Sequence, residues 1–146
     1  MKLGFELGRS FEGGEVLFLE GPLGSGKTTL VKGLAKGLGV VRDVTSPSFV
    51  LEKTYTGRTT LRHVDLYRLD PGEAAEFWHS LEAGPEEVLA VEWGERIAEL
   101  VPGGIRVDME YCEDPNARKV TISWETPSQG QTIRKAVERW REEKSR

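Results

Sequence analysis

Residues 21–28 read GPLGSGKT, a complete G-x-x-x-x-G-K-[ST] pattern, and the chain on both sides has the periodicity that such a segment needs. Ahead of it, Val16-Leu17-Phe18-Leu19-Glu20 reads as a short apolar strand. Behind it, Leu30, Val31, Leu34, Ala35 and Leu38 fall on one face of a helix predicted over residues 27–38. A glycine-rich turn can be a mere connection, but here strand, spacing and helix agree with a phosphate-binding loop. Gly24 and Gly26 let the chain curl so that successive N–H groups point inward at the N-terminus of the helix, an arrangement that favours an anion. Lys27 is then the point charge for the β- and γ-phosphates of a nucleoside triphosphate, and the Thr28 hydroxyl is placed to ligate Mg2+.

The elements that follow set the architecture. Strands are predicted at residues 16–20, 60–67, 88–93, 105–111 and 120–124, and helices at 27–38, 72–81 and 131–144, with a short turn at 95–100. Strands that alternate with helices imply parallel pairing through right-handed crossovers, with the phosphate loop at the carboxyl edge of the sheet. The expected fold is α/β, a P-loop NTPase three-layer sandwich. Residues 105–124, which alternate apolar and polar, are expected to extend its parallel core sheet as an antiparallel hairpin. A length of 146 residues without repeats or a low-complexity linker predicts a single domain over residues 1–146.

A triphosphate site also requires carboxylates near the metal. Asp65 ends the run Leu61–Val64, and Glu92 ends Val88–Val91, so two acids are expected to converge from neighbouring strand ends. Either can bind Mg2+ directly or through water, and Glu92 can also orient an attacking water. Acids also end strands simply because solvent begins there; the phosphate loop tips the reading towards function. Between helix and strand, residues 43–49 carry Thr45, Ser46 and Ser48 and are kept out of helical geometry by Pro47. The segment is either a loop that faces the γ-phosphate or a polar turn capped by its own hydroxyls.

Composition excludes other classes. The formal net charge of −4 argues against a chain built to coat nucleic acid. No apolar stretch approaches the roughly 20 residues of a membrane span, and the N-terminus MKLGFELGRS lacks the apolar core of a secretory signal, so a cytoplasmic protein without membrane contact is expected. Cys112, the single cysteine, reads as a small hydrophobe within a strand. His63 and His79 lack metal partners at useful spacing and read as ordinary strand and helix residues. In the last helix, Ile133, Val137 and Trp140 are expected to pack on the sheet; the opposite face, mixed in charge, is either solvated or a surface for tRNA or a partner.

Taken in order and spacing, GPLGSGKTTLVKGLAKGLG, TSPSFVLEKTY, HVDLYRL and VEWGERI resemble the TsaE (YjeE) family of bacterial P-loop ATPases over about residues 21–97. The chain departs from the family pattern at Pro22, where an acidic or polar residue is frequent, and at Ser48, where threonine is usual. The resemblance implies an ATP- and Mg2+-dependent hydrolase that assists threonylcarbamoyladenosine modification of tRNAs reading ANN codons. It implies action on a complex of TsaB-like and TsaD-like proteins, with slow turnover alone. By the same resemblance Lys27, Asp65 and Glu92 are catalytic, and Thr28, Asp65 and Glu92 serve the metal. Nucleotide contacts then fall to Gly21, Leu23, Gly24, Ser25 and Gly26, with Lys27, Thr28 and Thr29, and to Thr45 and Trp93 on the flanking segments.

Three rivals stand beside that reading. A small-molecule kinase uses the same loop, but the chain has no arginine-rich lid. GTP switch proteins of the Ras kind resemble one another in an N-K-x-D segment, whereas the single asparagine here, Asn116, precedes Ala117-Arg118-Lys119. A module that binds nucleotide without hydrolysis is the third.

Overall fold

The computed structural model describes residues 2–47 and 51–145, so Ser48 and Phe49 of the hydroxyl-rich loop lie outside the described residues. Six strands form one sheet: β1 Val16–Glu20, β2 Glu52–Tyr55, β3 Leu61–Asp65, β4 Val88–Glu92, β5 Ile105–Tyr111 and β6 Arg118–Ser123, in the spatial order β2-β3-β4-β1-β5-β6. The four central strands run parallel, with β1 between β4 (Leu17 beside Ala90) and β5 (Leu17 beside Ile105). Edge strands β2 and β6 run antiparallel to their neighbours.

The expected hairpin forms, β5 pairing antiparallel with β6, but its first strand belongs to the parallel core. β5 pairs parallel with β1, and only β6 reverses direction. The alternation along β5 reports that one face is covered and the other partly open, which says nothing about strand direction.

Helices α1 Lys2–Ser10, α2 Lys27–Gly37 and α4 Pro127–Lys144 cover one face of the sheet, and α3 Pro71–Ser80 covers the other. The period of two along the strands sorts the core. Leu17 and Leu19 of β1 and Ala90 of β4 join Leu30, Leu34 and Ile133 on the first face, while Phe18, Leu89 and Val91 meet Leu66, Ala74 and Ile97 on the second. The apolar face read for α2 is buried as expected. Of the predicted stripe on α4, Ile133 is buried, Val137 and Trp140 are half-buried, and the buried Ala136 completes it.

Two elements were not anticipated. α1 contains Gly4 and Gly8, which argue against a helix by propensity. Their role is proximity: a Cβ at Gly4 would run into the Leu30 carbonyl oxygen, and one at Gly8 into that of Leu34, so α1 lies directly against α2. β2 is a short polar edge strand, tied to β3 by the Arg62–Glu52 ion pair at 2.8 Å. Helix α4 starts earlier than residue 131, because the Thr126 side chain accepts from Gln129 N while Gln129 reciprocates, a capping box followed by proline. Cys112 is exposed just beyond β5 rather than packed within a strand. Among the described residues no helix is long and apolar enough to cross a membrane.

Candidate functional site

The loop between β1 and α2 takes the curled conformation that its glycines permit, with φ of 76° at Gly24 and 105° at Gly26. Lys27 turns back over it. Its Nζ donates to the Gly21 carbonyl at 2.6 Å and the Pro22 carbonyl at 2.9 Å, and lies 4.3 Å from the centroid of the Trp93 ring. Burial pushes the Lys27 ammonium below the usual lysine range, against the opposing charges of Glu92, Glu95 and Asp65. Ser25 is wholly buried, and its Oγ has no hydrogen-bond partner among the described residues. From the far side the β5–β6 hairpin grips the loop: the Tyr111 hydroxyl donates to the Leu23 carbonyl, and Arg118 Nη2 donates to that of Gly24 at 3.3 Å.

Parallel pairing of β3 with β4 puts Asp65 directly beside Glu92 at the carboxyl edge of the sheet. The Glu92 carboxylate is buried and accepts from Thr28 Oγ1 at 2.9 Å (Oε2) and 3.1 Å (Oε1). His63 Nε2 lies 2.6 Å from the same Oε2. The expectation that His63 is an ordinary strand residue therefore fails: it is fully buried, and its ring meets the carboxylate at the centre of the site. Asp65 Oδ1 accepts from Tyr67 N at 2.9 Å. Burial raises the Asp65 carboxyl above the usual carboxylate range; that bond opposes the rise, and the neighbouring Glu92 charge adds to it.

These groups line a cleft of about 410 Å³, with Lys27, Thr28, Asp65, Glu92 and Trp93 on its walls and Leu23 at the exposed loop tip. Trp93 holds a left-handed backbone, φ 61° and ψ 37°, which a bulky side chain rarely adopts. The turn stacks its ring against Tyr67, centroids 5.0 Å apart, and over Lys27. Of the hydroxyl-rich loop, Ser46 reaches this cleft. Thr45 does not line it: its Oγ1 accepts from Lys53 Nζ at 2.6 Å. A second cleft of about 620 Å³ flanks the other side of the phosphate loop, between Gly24, Ser25, Thr29, Asn116, Arg118 and Trp140. No sequence pattern announced it, since its walls come from α1, α2, β5, β6 and α4 as well as the phosphate loop.

The donor set suits a hard cation shared with phosphate. Among the described residues no three His, Cys, Asp or Glu side chains gather into a self-sufficient metal site. One hydroxyl and two carboxylates beside an anion-binding loop are instead what Mg2+ uses when nucleotide oxygens and water complete its octahedron.

A family model described as Threonylcarbamoyl adenosine biosynthesis protein TsaE matches residues 1–120. The chain belongs to the TsaE family. It is 41% identical over 129 residues to the tRNA threonylcarbamoyladenosine biosynthesis protein TsaE of Nostoc sp., covering 84% of this chain and 78% of that protein. It is 43% identical over 124 residues to the protein of the same name from Aquifex aeolicus, covering 83% and 86%. The crystal structure of Bacillus subtilis YdiB superposes with a TM-score of 0.73 at 32% identity, covering 94% of this chain and 87% of that one. This TsaE-family chain thus has the P-loop NTPase fold, the nucleotide-binding character that goes with it, and a role in tRNA threonylcarbamoyladenosine biosynthesis.

Proposed function

We propose that this TsaE-family chain is a single-domain, cytoplasmic, Mg2+-dependent ATPase that acts on a TsaB–TsaD-like pair during threonylcarbamoyladenosine modification of tRNAs reading ANN codons. The observation that carries the chemistry is the meeting of Lys27, Thr28, Asp65 and Glu92 on one cleft beside the phosphate loop. ATP is favoured over GTP because Asn116 does not begin an N-K-x-D segment.

In this reading Lys27 leaves the Gly21 and Pro22 carbonyls for the β- and γ-phosphates, and the loop amides from Leu23 to Thr28 hold the same anion. Thr29 follows on α2 towards the second cleft, which takes the nucleoside. Thr28 and Asp65 hold the metal. Bound Mg2+ supplies positive charge where the β- and γ-phosphates accumulate negative charge. Glu92 orients the water whose oxygen attacks the γ-phosphorus, and the bond to the bridging oxygen breaks. Slow turnover alone is consistent with an open cleft whose mouth exposes Leu23 and Tyr67, surfaces for a partner to close.

The test is ATP hydrolysis measured on the chain alone and again with the TsaB–TsaD pair and tRNA, for the native protein and Glu92→Gln. The expected result is stimulation by the pair, and at least about tenfold slower turnover in the variant, a barrier change of roughly 1.4 kcal/mol, with ATP affinity retained. Full hydrolysis by Glu92→Gln would remove Glu92 from the reaction, and absence of stimulation would remove the partner.

A further inference from the structure

We propose that His63 is the positioning residue for Glu92: a buried, rigid donor that, alongside the Thr28 hydroxyl, keeps the carboxylate aimed into the cleft. The inference rests on the hydrolytic reading of Glu92 given above.

Three observations converge on it. His63 is completely buried on β3, and its Nε2 stands 2.6 Å from Glu92 Oε2. Its Nδ1 has no hydrogen-bond partner among the described residues. A proton on Nδ1 would be a buried donor without an acceptor, and it would leave the Nε2 lone pair facing a carboxylate oxygen. The ring therefore carries its proton on Nε2 and donates it to Glu92. The third observation is that Thr28 Oγ1 donates to the same carboxylate. A hydroxyl can give a lone pair to a cation and its hydrogen to a carboxylate at once, but Thr28 stands at the phosphate loop and answers to the nucleotide as well, whereas His63 is fixed within the sheet. Of the two bonds to the carboxylate, the one from His63 comes from a residue that faces neither the nucleotide nor solvent. A β-strand side chain with two torsions and no exposed surface loses little freedom in holding that geometry, which is what a group that orients water requires.

The register of the sheet explains why this pair exists. His63 lies beside Ala90, two residues before Glu92, so the small methyl of Ala90 leaves room for the imidazole to reach forward along β4 to the carboxylate.

The test uses His63→Leu and His63→Gln in the full chain, with Glu92→Gln as reference. Loss of the donor in His63→Leu is expected to lower kcat at least tenfold while KM and affinity for a non-hydrolysable ATP analogue stay within threefold. His63→Gln, whose amide N–H sits near the place of Nε2, is expected to recover most of the loss. Independently of turnover, 15N NMR of the ligand-free protein is expected to show the Nε2–H tautomer, with a proton resonance that shifts in Glu92→Gln. A native kcat in His63→Leu, or a proton on Nδ1, would overturn the proposal. So would equal losses in both His63 variants with parallel drops in melting temperature, since packing alone would then account for them. If Glu92→Gln itself turns over normally the hydrolytic reading of Glu92 fails, whereas its slowing beside a fully active His63→Leu rejects the positioning role alone.

Discussion

The Thr28 hydroxyl lies 2.9 and 3.1 Å from the two carboxylate oxygens of Glu92, a residue 64 positions later in the chain. The bond ties the first turn of α2 to the end of β4 and joins two groups that both face the phosphate loop. Thr28→Val keeps the branched shape and removes the hydroxyl. We expect the Mg2+-dependent part of ATP affinity to fall at least about tenfold, roughly 1.4 kcal/mol, with affinity in excess chelator changed less than about twofold. Titration calorimetry with and without Mg2+ checks it; equal losses in both conditions would point to a distorted loop.

Lys27→Met removes the loop's buried cation and keeps its length. Affinity for ATP is expected to fall at least about a hundredfold, roughly 2.7 kcal/mol. Folded-state burial lowers the lysine pKa, so the charged form is less favourable in the native protein than in the unfolded chain throughout neutral pH. The ligand-free melting temperature should therefore stay within about 4 °C or rise, about 1 kcal/mol for a chain of this size. A larger drop would mean that Lys27 is a structural cation.

Asp65 provides a pH signature. Its folded pKa lies above the unfolded value, so its contribution to stability is full below the unfolded pKa and is lost as pH rises through the folded one. Asp65→Asn keeps the oxygen that accepts from Tyr67 N and removes the charge. The ligand-free variant should melt above the native protein at pH 7, and the gain should shrink as pH falls through the carboxylate range. Scanning calorimetry at several pH values decides it, and a gain independent of pH would assign the effect elsewhere.

Gly8→Ala tests the contact of α1 with α2. The added methyl meets the Leu34 carbonyl oxygen, a backbone atom that cannot swing aside. Overpacking of this kind costs about 1–3 kcal/mol, offset in part by the better helix propensity of alanine, and a melting temperature lower by about 3–10 °C is expected. A stabilised variant would show that α1 can lift from α2 without cost.

The loop around Pro47 is expected to sense the nucleotide. Ser46 lines the cleft, while Thr45 is held by Lys53 and by the Tyr55 hydroxyl, which lies 3.3 Å from Thr45 N. A γ-phosphate contact at Ser46 competes with those ties, so residues 43–47 should exchange amide hydrogen more slowly with a non-hydrolysable ATP analogue than with ADP. Identical protection in the two states, with equal affinity for the TsaB–TsaD pair, would exclude the sensor.

Residues whose role is written locally were legible before any coordinates. GPLGSGKT lies within one turn, the apolar face of α2 falls in the dozen residues after it, and Asp65 and Glu92 each end a predicted strand. What failed was non-local. The glycines of α1 look like helix breakers until α2 is beside them, and the alternation of β5 conceals that its neighbour β1 runs parallel. His63, alone in sequence, has no signal except its place two residues before Asp65.

By itself the sequence determined a phosphate loop on a strand–helix turn, two strand-end acids and the α/β order that brings strand ends to one edge, because periodicity and backbone conformation act over a few residues. The tertiary structure alone decided that Glu92 is shared by Thr28 and His63, that Thr45 faces Lys53 instead of the cleft, and that a second cleft opens beside Ser25. Each of those depends on which strands are neighbours and in what register, a choice made by burying two faces of one sheet at once.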